Sequence, residues 1–260
     1  MDIRIEGDAG GLEAWLAHPP NPGPNGRPGM VIVTGFPAAP GGGPNSFRTF
    51  PALADRVAED ARMVALTFAF RGIATSEGHF SLAGWRHDLK AAIRYLRTVD
   101  GIDGAIWMMG FGTGGALVLA AAAEEADVAG VVSVAAPADF QDWASRPREL
   151  LSHARKCGAI SDPSFPKDVA RWAKELTDIA AVDCARKLDS ERVRLMVLHG
   201  SADAAVPPLD ARAIADAHGN AELRLIEGAR HHLRHDPRAM ATAIGFLNRR
   251  GRTPRSNALS

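Results

Sequence analysis

The chain predicts an α/β fold: a mostly parallel central sheet with helices on both faces. Three observations carry that expectation. Short apolar runs at 30–34, 63–70, 128–135 and 193–199 alternate with stretches of helical periodicity. Ala105 to Ala123 reads as an apolar strand, a glycine-crowded turn and an alanine-rich helix with no room for a loop between them. The length of 260 residues suits one α/β domain carrying an insertion, and the chain holds no internal repeat or low-complexity tract.

The elements follow in order. Asp2 to Glu6 alternates polar and apolar, Gly10-Gly11 marks a turn, and Leu12 to Ala17 is a second apolar run, which together predict a hairpin. Pro19 to Gly29 reads as a loop. Met30 to Thr34 reads as a buried strand running into Gly35-Phe36-Pro37 and a glycine cluster at 41–43. Thr49-Phe50-Pro51 opens a helix with proline in its first turn, and Phe50, Leu53 and Val57 form its apolar face. Met63 to Phe70 is the next strand, and Arg71 to Gly78 is a tight structural turn in which Ser76 is read as structural. Ser81 caps a helix whose Leu82, Trp85, Leu89, Ala92, Ile93 and Leu96 make one stripe, with Trp85 in the core.

Beyond the central strand, turn and helix comes a strand at Val128 to Ala135. From 136 to 192 the pattern changes to helical stretches around 140–157 and 166–188, with tryptophans at 143 and 172. Val193 to His199 is a strand, Leu209 to His218 a helix closed by Gly219, and Ala221 to Ile226 the last strand. Asp236-Pro237 opens a final helix with Met240, Ile244 and Leu247 inward, and residues 250–260 are expected to form a disordered tail.

Composition excludes several classes. Thirty basic and thirty acidic residues balance, so no global field favours nucleic acid or an anionic membrane. Cys157 and Cys184 cannot build a disulfide framework, and their spacing suggests neither a metal nor a redox site. The charged, alternating amino terminus is not a leader, and no apolar run approaches about 18 residues, so a cytoplasmic, soluble protein is expected. His231, His232 and His235 lie close in sequence, yet no carboxylate shares their spacing, and neither metal nor cofactor is expected.

The turn Gly110-Phe111-Gly112-Thr113-Gly114 resembles the nucleophile elbow G-x-S-x-G of the α/β-hydrolase family, whose outer glycines let strand and helix approach closely. Gly35-Phe36-Pro37 is similar to the family's His-Gly-x-Pro loop, with Thr34 in place of the His. Gly200 to Pro207, preceded by His199, matches H-G-x-x-D-x-x-V-P at every fixed position, and Gly228 to His231 matches G-x-x-H. The resemblance implies an α/β-hydrolase fold over 1–249 with a small helical cap at 136–192. It implies Asp203 as the acid, His231 as the base, and the Phe36 and Thr113 N–H groups as oxyanion donors.

One departure governs the functional expectation. The family's attacking Ser, Cys or Asp is replaced by Gly112, which has no side chain to attack with. Removing the hydroxyl from such a system lowers kcat by about 10⁶, so ordinary esterase turnover should be negligible. The first reading is a non-hydrolytic protein that binds a small carbonyl or carboxylate ligand, or a protein partner or second copy of itself. The alternative is an Asp203-His231 general base acting on water or on a carbon acid. A third is a hydrolase with an unusual nucleophile such as Thr113.

Overall fold

The computed structural model describes residues 1–21, 23–125 and 127–250, the last without its side chain. Of the expected tail at 250–260, residue 250 instead ends the last helix, and 251–260 lie outside the described residues. The hairpin forms as β1 (Asp2–Gly7) and β2 (Gly10–Ala17), paired antiparallel. Next come β3 (Arg27–Val33), α1 (Phe50–Ala61), β4 (Val64–Phe68) and α2 (Leu82–Arg97). β3 starts three residues before the apolar run because Arg27 pairs with Ile102 at the sheet's rim. β4 starts one residue into the apolar run, just after Arg62 ends α1 in the left-handed region at φ 55°, and it stops two residues before the run does.

β5 (Ile102–Phe111) runs into α3 (Thr113–Ala122), and β6 (Val128–Val134) follows. The interval 136–192 holds α4 (Gln141–Ser145), α5 (Pro147–Lys156), α6 (Val169–Lys174) and α7 (Ala181–Lys187). The expected helix over 166–188 is therefore two short ones, because Ala180 is extended at φ −119°, ψ 117°. β7 (Arg194–Gly200), α8 (Pro208–His218), β8 (Glu222–Ile226) and α9 (Pro237–Arg250) complete the chain.

The sheet has eight strands in the order β1-β2-β4-β3-β5-β6-β7-β8, parallel from β4 onward. Its direction of travel reverses between β3 and β5, the place where open α/β sheets leave a crevice beyond the carboxyl ends. α1 packs on α9, while α2, α3, α7 and α8 form a contiguous row. β3, β4, β6 and β7 are buried along nearly their whole length, which explains continuous apolar runs such as Met30 to Val33.

The turn between β5 and α3 has a steric cause. A Cβ on Gly110 would fall 2.2 Å from the Gly114 carbonyl oxygen, and one on Gly114 would fall 2.3 Å from that of Thr34. Strand, helix and the end of β3 meet closer than any side chain permits. Gly112 differs: a Cβ there would meet its nearest neighbour at 3.5 Å, an ordinary contact. Its demand is conformational, at φ 53° and ψ −122°, where a side chain costs roughly 1–3 kcal/mol.

The turn at Arg71 to Gly78 is also structural. The Ser76 hydroxyl donates to the Ala69 carbonyl at 2.7 Å and accepts from the Glu13 amide at 2.9 Å. Arg71 forks onto the fully buried Asp88, and Trp85 stacks on Phe70 at 4.5 Å while donating to the Arg71 carbonyl. Urea denaturation of the turn variants should separate the two demands. Gly114→Ala is expected to lose more than about 3 kcal/mol or fail to fold, whereas Gly112→Ala is expected to lose roughly 1–2 kcal/mol.

Candidate active site

The loops after β3, β5, β7 and β8 bring Phe36, Gly112, Val206 and His231 to one cavity of about 670 Å³ at the reversal of the sheet. Gly112 is placed by the ladder itself: its N–H continues the pairing of β5 with β6 by donating to the Val134 carbonyl at 2.8 Å. A Cβ on Gly112 would stand 3.5 Å from His231 Nε2 and 3.8 Å from Gly35 Cα. The imidazole therefore faces the bare elbow position directly.

Beneath it lies Asp203, whose side chain is buried. Oδ2 accepts from His231 Nδ1 at 2.8 Å, and Oδ1 accepts from the Ala205 and Val206 amides at 2.9 and 3.0 Å. Burial alone would raise this carboxyl. Hydrogen bonds from His199, His231 and the Val206 amide outweigh burial and hold it well below the usual carboxylate range. An ionised Asp203 fixes the proton of a neutral His231 on Nδ1, which leaves Nε2 as a lone pair aimed at Gly112. The Asp203 carboxylate closes its own loop and does not cap α8, which starts beyond Pro207 without a side-chain cap.

The two expected backbone donors are both available. Among the described residues, neither the Phe36 nor the Thr113 N–H donates to a protein acceptor, and both residues line the cavity. Thr113 opens α3, with its buried side chain making no hydrogen bond to His231. No hydroxyl or thiol among the described residues bonds to His231 Nε2. His235 Nε2 donates to the Pro44 carbonyl, outside this cluster, at 2.8 Å.

The structure adds residues that sequence reasoning missed. Asn45 Nδ2 donates to the Phe36 carbonyl at 2.7 Å, steadying the loop whose amide faces the cavity. Asp210 Oδ2 accepts from the Ala138 amide at 2.9 Å, tying α8 to the start of the helical interval. Trp143 and Phe140 form an aromatic wall, with ring centroids 5.2 Å from Phe36 to Trp143 and 5.3 Å from Phe140 to Trp143. His153 reaches across from α5 to within 3.1 Å of the Pro37 carbonyl. Cys157 Sγ lies 3.4 Å from His153 Nε2, one helical turn away. Burial raises the thiol, so it rests protonated as part of the packing of α5 on the Pro37 loop.

His232 stands beside His231 with ring centroids 5.4 Å apart, and burial, followed by its histidine neighbours, lowers its pKa. A larger cleft of about 770 Å³, lined by Arg27, Asp60, Arg62 and Trp107, holds none of the loop residues above. Its size alone gives it no chemistry.

Residues 30–243 match the model of the alpha/beta hydrolase family. No curated protein matches the chain. Among solved structures, Est1E from Butyrivibrio proteoclasticus, determined with ferulic acid bound, is similar at 21% identity and TM-score 0.70, over 95% of this chain and 96% of that one. A serine hydrolase without a lid from Xanthomonas campestris is similar at 19% identity and TM-score 0.62, over 98% and 96%. The Pf2001 esterase from Pyrococcus furiosus gives 15% identity and TM-score 0.65, over 96% and 92%. At these identities the likeness shows the fold. The family match spans the elbow and the loops of both Asp203 and His231, and the chain belongs to the α/β-hydrolase family.

Proposed function

We propose that this protein binds a small carbonyl compound above Gly112, forms no acyl-enzyme, and uses the Asp203-His231 pair as a general base. The observation that carries the reading is the unpartnered Nε2 facing an elbow position with 3.5 Å of clearance, backed by a carboxylate held ionised. A pocket that only sheltered a ligand would not need a buried charge beneath its histidine, since burying one costs several kcal/mol unless it is well paired.

In this reading a water occupies the space a serine oxygen would take. His231 Nε2 accepts its proton as its oxygen adds to the carbonyl carbon, and the oxyanion settles on the Phe36 and Thr113 N–H groups at the amino end of α3. Collapse breaks the bond to the leaving group, which takes the proton back from Nε2. The same base serves a carbon acid whose carbonyl oxygen sits in that pair of amides. General-base help contributes about 10² to 10⁴. The whole site without its nucleophile retains about 10³ to 10⁴ over water, so turnover is slow.

Helices α4 and α5 serve as a small cap, and Phe140, Trp143 and His153 on their inner side choose the ligand. Asp139, Asp142 and Asp210 line the cavity with no Lys or Arg among its described lining residues. That charge favours a neutral carbonyl compound over a free carboxylate. A second reading, ligand binding without chemistry, is favoured by Gly112 itself. Glycine removes the strain of the elbow conformation, as expected of a site relieved of its catalytic burden.

Gly112→Ser is expected to hydrolyse p-nitrophenyl acetate at least about 10²-fold faster than the native chain and to label with a fluorophosphonate. Labelling of the native chain would end the proposal. For carbonyl substrates that the native protein turns over, His231→Ala should cut the rate by about 10² or more, and an unchanged rate would leave binding alone. Asp203 also predicts a pH effect. Its folded pKa lies below the unfolded value of about 3.9, so its stabilisation is complete above that value and fades as pH falls towards the folded one. The melting-temperature gap between native protein and Asp203→Asn should accordingly narrow below about pH 4.

A further inference from the structure

His199 is the penultimate residue of β7, with its side chain fully buried. Its Nε2 lies 3.0 Å from the Val206 carbonyl and 3.2 Å from Asp203 Oδ2, the oxygen that also receives His231 Nδ1. A carbonyl and an ionised carboxylate both accept, so the proton of His199 sits on Nε2 and is shared between them. Its Nδ1 is buried with no partner among the described residues. Leaving such a group unsatisfied costs about 1–3 kcal/mol, which packing by itself would not favour over an apolar side chain.

We infer that His199 is a positioning residue that sets the strength of the Asp203-His231 hydrogen bond by donating to the same carboxylate oxygen. The inference deepens the reading of Asp203 and His231 as a working pair. Oδ1 is already held by two backbone amides, so the location of the carboxylate does not depend on His199. What His199 controls is how much negative charge on Oδ2 remains for His231. The other groups facing His231 are His232, with His235 behind it, and, around the same cavity, His153, Asp139, Asp142 and Asp210. None of these bonds to Oδ2.

The test is histidine NMR on ¹⁵N-labelled protein, with the His231 signals assigned by their loss in His231→Ala. In His199→Met the His231 Nδ1 proton should move downfield and the His231 titration midpoint should rise by about half to one pH unit. His199→Asn, too short to reach Oδ2, should behave as Met does and gives the same reading should Met fail to fold. His199→Gln, whose amide reaches the position of Nε2, should restore both signals. Unchanged signals in a folded Met or Asn variant would overturn the inference, as would a Gln variant that resembles Met. The readout needs no substrate: a catalytically silent His231 would remove the general-base reading and leave this result standing.

Discussion

The approach of β5, α3 and the end of β3 to within carbonyl contact of one another is the constraint on which the rest depends. With Gly110 and Gly114 lacking side chains, the Thr34 and Gly114 carbonyls occupy space that any Cβ would claim. That closeness sets the sharp bend at Gly112 and leaves the Thr113 N–H without an acceptor at the start of a helix. It also brings the β3 loop, with the second free amide at Phe36, alongside the bend. The same packing would serve an elbow with or without an attacking group, so the turn has kept its form around Gly112.

Asp203 and His231 are held by a separate set of interactions. The loops after β7 and β8 are stitched together where the Ser201 and Ala202 amides donate to the Ile226 and Ala229 carbonyls at 3.0 Å each. Asp203 then receives four donors within a buried loop, two from amides and two from histidines. A buried charge so fully paired is tolerated, while one stripped of a partner would be strongly destabilising. Asp203 and His231 are thus kept in place by the fold around them, independent of Gly112.

The cavity wall is built by elements far apart in sequence. Phe36 contacts Phe80, Trp143 and His153 at centroid distances of 4.6, 5.2 and 5.7 Å, joining the β3 loop to both α4 and α5. The wall is aromatic on one side and carries Asp139, Asp142 and Asp210 on another, with no Lys or Arg among the described lining residues. The loop after β3 and helices α4 and α5 are consequently one packed unit, in which His153 and Cys157 meet the Pro37 carbonyl.

The sequence by itself determined the alternation of strands and helices, the elbow glycines, and the loops of Asp203 and His231. These rest on local causes: apolar period, steric exclusion of Cβ, and turn residues at fixed spacing. It also showed that Gly112 carries no hydroxyl, because that is a statement about composition at one position. Tertiary structure alone decided that His231 Nε2 faces Gly112, that His199 shares an oxygen with His231, and that Asn45, His153 and Asp210 border the same cavity. Asn45 lies nine residues from the carbonyl it holds and His153 lies 116 from its own, and no periodicity encodes contacts across such separations. The break of 166–188 into two helices had the same origin, since α6 lies against α4 and α5 while α7 packs on α3 and α8, and these separate partners overrode a helical pattern that was locally sound.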